Sequence, residues 1–350
     1  MLKKIVLIIL CLVIIAGGSL LYYHHSVYDP VDKKSQEVVV IVENGENCST
    51  MIKKLEKAGL LTSSYAARIY TKFHGVTLRA NTYRLNKNMS FEQMLKVMHT
   101  ADSRYVVNNK LQIKDGKTIN EIAPAVAAAL TKSDDKTVTT EDVLKVWNDQ
   151  AYLKTLINKY WFLTDDILKK GIKQPLEGYF FPETYYINEK NLTVQDLTTK
   201  LLDAMDAHLS KYRDGIAKMH YSVHQFLTLS SIVERETLYD KDAPIITGVF
   251  LNRIKKNMYL GSDVTVNYAL NRTGVKVTAK MLKVKSPYNT YKHKGLPIGP
   301  IATIQDKTLN SVINYQKSDY YYFFAKKDGS VIYSKTYKEH QKAVKENKWY

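Results

Sequence analysis

The stretch Phe226-Leu-Thr-Leu-Ser-Ser-Ile-Val-Glu-Arg-Glu-Thr-Leu-Tyr239 decides how the rest of the chain is read. Its apolar spacing predicts a helix. At about 100° per residue, Leu229, Ile232 and Val233 share one side. Glu236 lies seven, four and three residues beyond them, in the middle of that stripe. Glu234 faces the other way, with Ser230 and Arg235 nearer its side, and is expected at solvent or in a salt bridge. A carboxyl among apolar neighbours loses solvation of its charged form, so its pKa rises. A general acid working near neutral pH needs that shift. Two readings of Glu236 stay open at this point: a catalytic acid, or a structural glutamate paired with Arg or Lys.

On either side of this helix the chain changes character. Six of its eight prolines lie between Pro175 and Pro300, and loops carry function more often than scaffolds do. Leu176-Glu-Gly-Tyr-Phe-Phe-Pro-Glu-Thr-Tyr-Tyr186 is aromatic-dense and held by Gly178 and Pro182. A helix is expected from Thr193 to Leu209. Pro244 to Lys256 predicts a second helix packed on the first. Asp263 falls in a turn, as a possible N-cap for Val264 to Leu270. Tyr288, Asn289 and Tyr291 sit on an irregular loop between Ser286 and Pro300. Aromatic faces and amides recognise sugars, but such a loop is equally a packed piece of surface. The tail, from Tyr320 to Ala325 and Val331 to Tyr333 about Asp328-Gly329, reads as a β-hairpin, core and sheet rather than site.

Going toward the N-terminus, Thr139 to Trp161 is helical and charged. Leu111 to Gly116 reads as strand and turn, and Thr118-Ile-Asn-Glu121 caps a helix through Leu130. That phrase weakly repeats an earlier one. There Val38 to Val42 is a strand, Asn44-Gly45 turns it, and Ser49 to Gly59 is a helix. Further helices follow from Ser64 to Phe73 and, behind the capping box Ser90-Phe-Glu-Gln93, through Met98. Tyr28 to Gln36 reads as a polar tether. Ile5 to Tyr23 is an uncharged run of 19 residues, close to a membrane span. Tyr22 and Tyr23 end it, and Lys3 and Lys4 place the N-terminus inside. An uncleaved anchor is favoured over a signal peptide or lipoprotein, since apolar residues continue past Gly17-Gly18-Ser19 and Leu10 precedes Cys11.

The 350 residues carry a net charge of +17 and are 45% hydrophobic. A core of useful size is assured, and a polyanionic neighbourhood is implied: nucleic acid, anionic lipid or an anionic wall. Without an Arg-rich arm, zinc finger or RNA-binding aromatic motif, nucleic acid is not expected as a partner. Cys11 and Cys48 are too far apart in kind to pair, and two cysteines make no thiolate metal cluster. His220 and His224 have i, i+4 spacing but lack the neighbouring glutamate and third ligand of a zinc site. Nucleophile-elbow, P-loop and dinucleotide glycine motifs are missing. No metal or cofactor is expected.

Taken together, Leu176-Glu-Gly-Tyr-Phe-Phe-Pro-Glu-Thr-Tyr, Ser231-Ile-Val-Glu-Arg-Glu-Thr, Phe250-Leu-Asn-Arg, Ser262-Asp-Val-Thr-Val, Tyr288-Asn-Thr-Tyr and Gly295-Leu-Pro-Ile-Gly-Pro-Ile-Ala302 resemble the endolytic murein transglycosylases, the MltG (YceG-like) family. The resemblance spans essentially the whole chain beyond the anchor. It implies an α+β fold: an N-terminal transmembrane helix, a small LysM-like α/β unit and a larger mixed α+β catalytic domain around a central catalytic helix. The expected divisions are a cytoplasmic tail at 1–4, an anchor at 5–23, a tether at 24–36, the LysM-like domain at 37–105 and the catalytic domain at 106–350.

The family's catalytic glutamate is the second in its Ile-Val-Glu-Lys/Arg-Glu-Thr motif, which is Glu236 here. The Glu-Thr pair is similar to the Glu-Ser pair of other lytic transglycosylases. Glu183 stands where many relatives carry Asp. The implied reaction cuts the β-1,4 bond between N-acetylmuramic acid and N-acetylglucosamine in nascent strands and leaves a 1,6-anhydro end. One glutamate acts as acid, then base, unlike the two-carboxylate hydrolases. Tyr179, Glu183, Asp263, Asn289 and Tyr291 are the candidate substrate contacts. The resemblance further implies peptidoglycan strands, the cell membrane and penicillin-binding proteins or other wall-synthesis machinery as partners, and a role in terminating strand elongation. The competing readings are a membrane-anchored wall-binding scaffold, to which an acid on an apolar helix face would bring nothing, and a true muramidase.

Overall fold

The structure is a computed structural model and describes all residues except 1, 108, 134–136, 188–190, 274–276 and 348–350. The chain divides into two compact units. The first is Met1–Lys110 with Tyr186–Asn188, and the second is Leu111–Tyr185 with Glu189–Tyr350.

The first unit opens with α1 (Leu2–Tyr28) and continues as β1 (Glu37–Val42), α2 (Cys48–Lys57), α3 (Ser64–His74), β2 (Asn81–Asn86) and α4 (Phe91–Thr100). The two strands are antiparallel, with Val38 opposite Leu85 and Val40 opposite Tyr83. Val40 and Val42 join Tyr83 and Leu85 in the core, under Met51, Ile52 and Leu55 of α2 and Met94, Leu95 and Met98 of α4. Asn47, Ser63 and Ser90 cap the helices, the last in a full capping box. Strand β2, Asn-Thr-Tyr-Arg-Leu-Asn, was not anticipated from sequence.

Residues 9–28 of α1 are long and apolar enough to cross a membrane. α1 runs unbroken to Tyr28, into the range 24–36 expected as a tether. Tyr23 and Val27, four residues apart, share a face that packs into the first unit's core, which keeps the last turns helical.

At the boundary, β3 (Lys110–Gln112) pairs with β4 (Thr184–Tyr186). Between them lie α5 (Ile119–Ser133), α6 (Thr140–Trp147) and α7 (Gln150–Lys159). The single helix read over Thr139 to Trp161 is two, because Asp149 turns out and caps α7. Then come α8 (Val194–Leu209), α9 (Arg213–Lys218), α10 (Val223–Glu236), α11 (Ala243–Lys255), α12 (Asp263–Ala269) and α13 (Asp306–Ile313). The hairpin β5 (Tyr322–Ala325) and β6 (Val331–Ser334) and helix α14 (Tyr337–Asn347) close the unit.

Helix α10 is the axis of the second unit. Every residue from Phe226 to Glu234 is buried, and α11, α12 and α13 pack around it. The expected solvent face is therefore absent: a helix covered on all sides must satisfy its polar side chains internally. Thr228 Oγ1 donates to His224 O, and Ser231 Oγ donates to Thr228 O while accepting from Ile301 N. These last contacts tie the 298–305 loop to the helix. Gly178 makes that loop's close approach possible. It sits at φ +78°, and a Cβ there would stand 2.4 Å from Pro300 Cβ.

Candidate active site

The end of α10 places two carboxylates in different surroundings. Glu234 is 9% exposed. Its Oε2 accepts from Gln305 N at 3.2 Å and its Oε1 from Gln305 Nε2 at 3.0 Å. Gln305 is the N-cap residue of α13, so Glu234 takes up the first N–H of that helix, where a negative charge is favoured. Burial raises its pKa, against the hydrogen bonds from Thr308 and Gln305. The expectation of Glu234 at solvent or in a salt bridge is thus corrected. Its partner arrives from residue 305, beyond the reach of a helical wheel.

Glu236 is the last residue of α10, and there the helix stops. Thr237 leaves in extended backbone (φ −100°, ψ 123°), and its Oγ1 donates back to Val233 O at 2.7 Å. The Glu-Thr pair therefore ends the helix and leaves the Glu236 carboxyl at the rim of a 540 Å³ cleft. Burial pushes its pKa up to about 7. The Ser262 hydroxyl works against this, neighbouring Asp263 adds to it, and Arg253 and Arg235 lower it. The negative end of the α10 dipole also disfavours charge at this position.

Ser262 Oγ donates to Glu236 Oε1. Ser262 is the N-cap of α12, yet its hydroxyl caps nothing and is turned to the glutamate. Its backbone is fixed on both sides. Its N–H donates to Thr290 Oγ1 at 2.9 Å, its carbonyl accepts from Thr265 Oγ1 at 2.6 Å, and the two threonine hydroxyls meet at 2.9 Å. Asp263 is the first residue of α12 and not its cap. Its Oδ1 accepts from Tyr291 Oη at 2.6 Å, and both side chains line the cleft. Burial raises the Asp263 carboxyl, opposed by that hydrogen bond.

Arg253, on the last turn of α11, completes one side. It donates to Tyr321 O and Leu260 O and lies 5.1 Å from the centre of the Tyr322 ring. The far wall is the C-terminal hairpin and helix: Phe323, Phe324, Ala325 and His340. Sequence reasoning assigned that tail to the core. Its role as a wall has no local signal, since it depends on β5 packing against α11, where Phe323 meets Phe250 edge-on at 5.7 Å, some 70 residues earlier in the chain.

The other candidates do not gather here. Tyr179 and Asn289, expected as sugar contacts, are fully buried and do not line this cleft. Tyr179 Oη meets His224 Nδ1 at 2.8 Å, and His224 Nε2 meets Ile298 O at 2.8 Å. A carbonyl only accepts, so Nε2 carries the proton. Burial holds the ring neutral, so Nδ1 accepts from the tyrosine. With both nitrogens engaged, His224 has none left for a metal. Asn289 Nδ2 donates to Leu282 O and Val284 O and shapes its own loop. Glu183, partly exposed, lies in a different hollow with Gln112, Lys114 and Gln305, 3.8 Å from His208 Nε2, and not in the cleft of Glu236. Glu177, a buried acid missed in the sequence, accepts Ile119 N at 3.0 Å and Tyr268 Oη at 3.0 Å. Burial lifts its pKa to about 8. Among the described residues no cluster of three His, Cys, Asp or Glu is placed to hold a metal.

Residues 40–346 match the sequence model of the YceG-like family. The chain belongs to that family. The endolytic murein transglycosylase of Bacillus subtilis strain 168 is 33% identical over 321 residues, covering 91% of this chain and 87% of that protein. The endolytic murein transglycosylase of Streptococcus pneumoniae D39 is also 33% identical. That match covers 91% of this chain but spans 60% of the pneumococcal protein's length. A crystal structure of a YceG-like protein from Listeria monocytogenes is 37% identical. It superposes over 89% of this chain and all of its own, with a TM-score of 0.64.

Proposed function

We propose that this YceG-like protein is a lytic transglycosylase that cuts peptidoglycan strands internally, with Glu236 as its single acid and base. The observation that carries the reading is a carboxyl at the rim of an open cleft, held by one hydroxyl and kept half-protonated near neutral pH. As acid, Glu236 protonates the departing oxygen of the muramoyl–glucosaminyl bond. As base, it takes the proton from the muramoyl C6 hydroxyl, whose oxygen closes on C1. The 1,6-anhydro end forms without water, and the glutamate recovers its proton.

Asp263 is the second carboxylate in the cleft. Tyr291 holds it, and it stabilises positive charge developing at C1 or orients the sugar. Arg253, Tyr291 and the Phe323–Phe324 wall are the further substrate contacts in this reading. The β–α–α–β order of the first unit supports a LysM-like glycan binder, and α1 supports a single-pass anchor with the catalytic unit outside. Such an enzyme would trim or terminate nascent strands at the membrane beside the synthesis machinery.

The test is incubation of the chain and of E236Q with isolated peptidoglycan, followed by mass spectrometry. Internal anhydro-ended cuts by the parent alone support the proposal. Products heavier by one water would make it a hydrolase with Asp263 as second carboxylate. No cleavage by either would leave a wall-binding scaffold.

A further inference from the structure

Helix α1 enters the first unit without a joint. Val27 is fully buried there and Ser26 nearly so, with Tyr23 packed at the core's edge. Tyr28 meets the ring of Tyr70 edge-on at 6.2 Å. Tyr70 belongs to α3, whose inner face is Ala66, Ala67 and Tyr70. Helix α3 therefore lies against the last turns of α1.

Among the described residues, nothing covers the outer face of α3, on which Ile69 is half-buried. Tyr65, Arg68, Ile69, Lys72 and Phe73 follow i, i+3, i+4, i+7, i+8 spacing and form one stripe. Tyr65 is 74% exposed and Phe73 78%, and Arg68 and Lys72 are exposed between them. The helix carries no acid. Nearby acids are occupied: Asp29 pairs with His25 at 2.7 Å, and Glu92 faces Tyr70 Oη at 3.5 Å. Exposed aromatics alternating with basic residues are the composition of a helix lying in a headgroup layer.

Depth follows from helical rise. At 1.5 Å per residue, the uncharged run Ile5–Tyr22 fills a hydrocarbon core of about 30 Å almost completely, and burial of Ser26 and Val27 in the first unit keeps the last turns of the apolar stretch Ile9–Tyr28 out of it. The turns from Tyr23 to Tyr28, where α3 packs, then lie at headgroup level. We propose that the Tyr65–Phe73 stripe of α3 docks on the anionic headgroups of the bilayer that α1 crosses, with Arg68 and Lys72 on the phosphates and the two aromatics among the upper acyl carbons. The inference rests on the anchor reading of α1.

The test uses the full chain carrying Cys11→Ala, Cys48→Ser and Phe73→Cys, bimane-labelled at position 73. It is reconstituted in phosphatidylcholine vesicles with and without phosphatidylglycerol. Flotation reports the anchor separately. The expected result is that phosphatidylglycerol lowers iodide quenching of the label about twofold or more and brings it within reach of a headgroup nitroxide lipid. Arg68→Glu with Lys72→Glu should abolish both effects while the chain still floats. A floating chain whose label is equally open to iodide in both lipids overturns the docking and leaves the anchor standing. Protection that persists in the charge-reversed variant also overturns it, because something other than anionic lipid then covers the stripe. A chain that does not float removes anchor and docking together.

Discussion

Glu234 and Glu236 stand two residues apart on one helix in opposite surroundings. The first is enclosed, with Gln305 supplying two donors, and beside it lies a 370 Å³ cavity among Asp115, Lys117, Asp240 and Lys307. The second has one donor, Ser262, and faces the cleft with Asp263, Tyr291 and Arg253. Burial raises both carboxyls. What separates them is how their lone pairs are used. Those of Glu234 are spent on the start of α13, so its charge state supports a fold. Among the described residues, Glu236 Oε2 has no hydrogen-bond partner, which the proposed reading needs for its proton to be handed to a substrate. A raised pKa alone does not distinguish an active acid from a structural one; the count of donors and the open side do.

The largest expected effect tests that difference directly. E236Q should lower anhydro-product formation by about two to four orders of magnitude, while the thermal midpoint does not fall. An equal loss in E234Q, with its fold intact by circular dichroism, would break the contrast. E234A should instead cost about 1–3 kcal/mol by stranding Gln305 N, read as a lower midpoint in denaturant unfolding. Its activity per folded molecule should hold.

A third effect has an unintuitive sign. Glu236 has a folded pKa of about 7 against 4.5 for an ordinary glutamate, so the folded state holds more protons between these values. Stability therefore falls as pH rises through that window. E236Q should be more stable than the parent at pH 8, with the difference vanishing near pH 4, by calorimetry at both pH values.

The smallest effects are opposed shifts in the pH profile of kcat/KM. Ser262 holds the Glu236 pKa down and Asp263 holds it up. The alkaline limb, which reports the acid form, should move to higher pH in S262A and to lower pH in D263N. Shifts in the same direction would mean that the limb belongs to another group.

The residues that were legible in the sequence are those whose surroundings are local. Helix α10, the capping box at Ser90 and the β5–β6 turn at Asp328-Gly329 follow from spacing within a few residues. The raised pKa of Glu236 was legible because its apolar neighbours share its own helix. Illegible were features settled by distant partners. β2 alternates weakly and pairs with a strand whose residues lie 39 to 49 positions earlier. Glu234 answers to Gln305, Tyr179 to His224, and the cleft wall at Phe323 to Phe250 of α11. The aromatic loops resembled sugar platforms because the same side chains that stack on sugars also stack in cores, and sequence does not say which way they turn. Ser262 was visible within a motif, but a serine before a helix reads as a cap; its hydroxyl is diverted by a glutamate from another helix.

One feature of the first unit carries beyond chemistry. Since α1 continues as a single helix into the core through Val27, an anchor of this kind has no hinge at the water boundary. A spanning helix answers a thinner or thicker bilayer by changing its tilt. Here that tilt would pass undiminished into the first unit, which becomes a pointer fixed to its own shaft. Bilayer thickness would then set the angle at which the first unit meets the wall, and a glycine pair placed at residues 24 and 25 would disconnect the two.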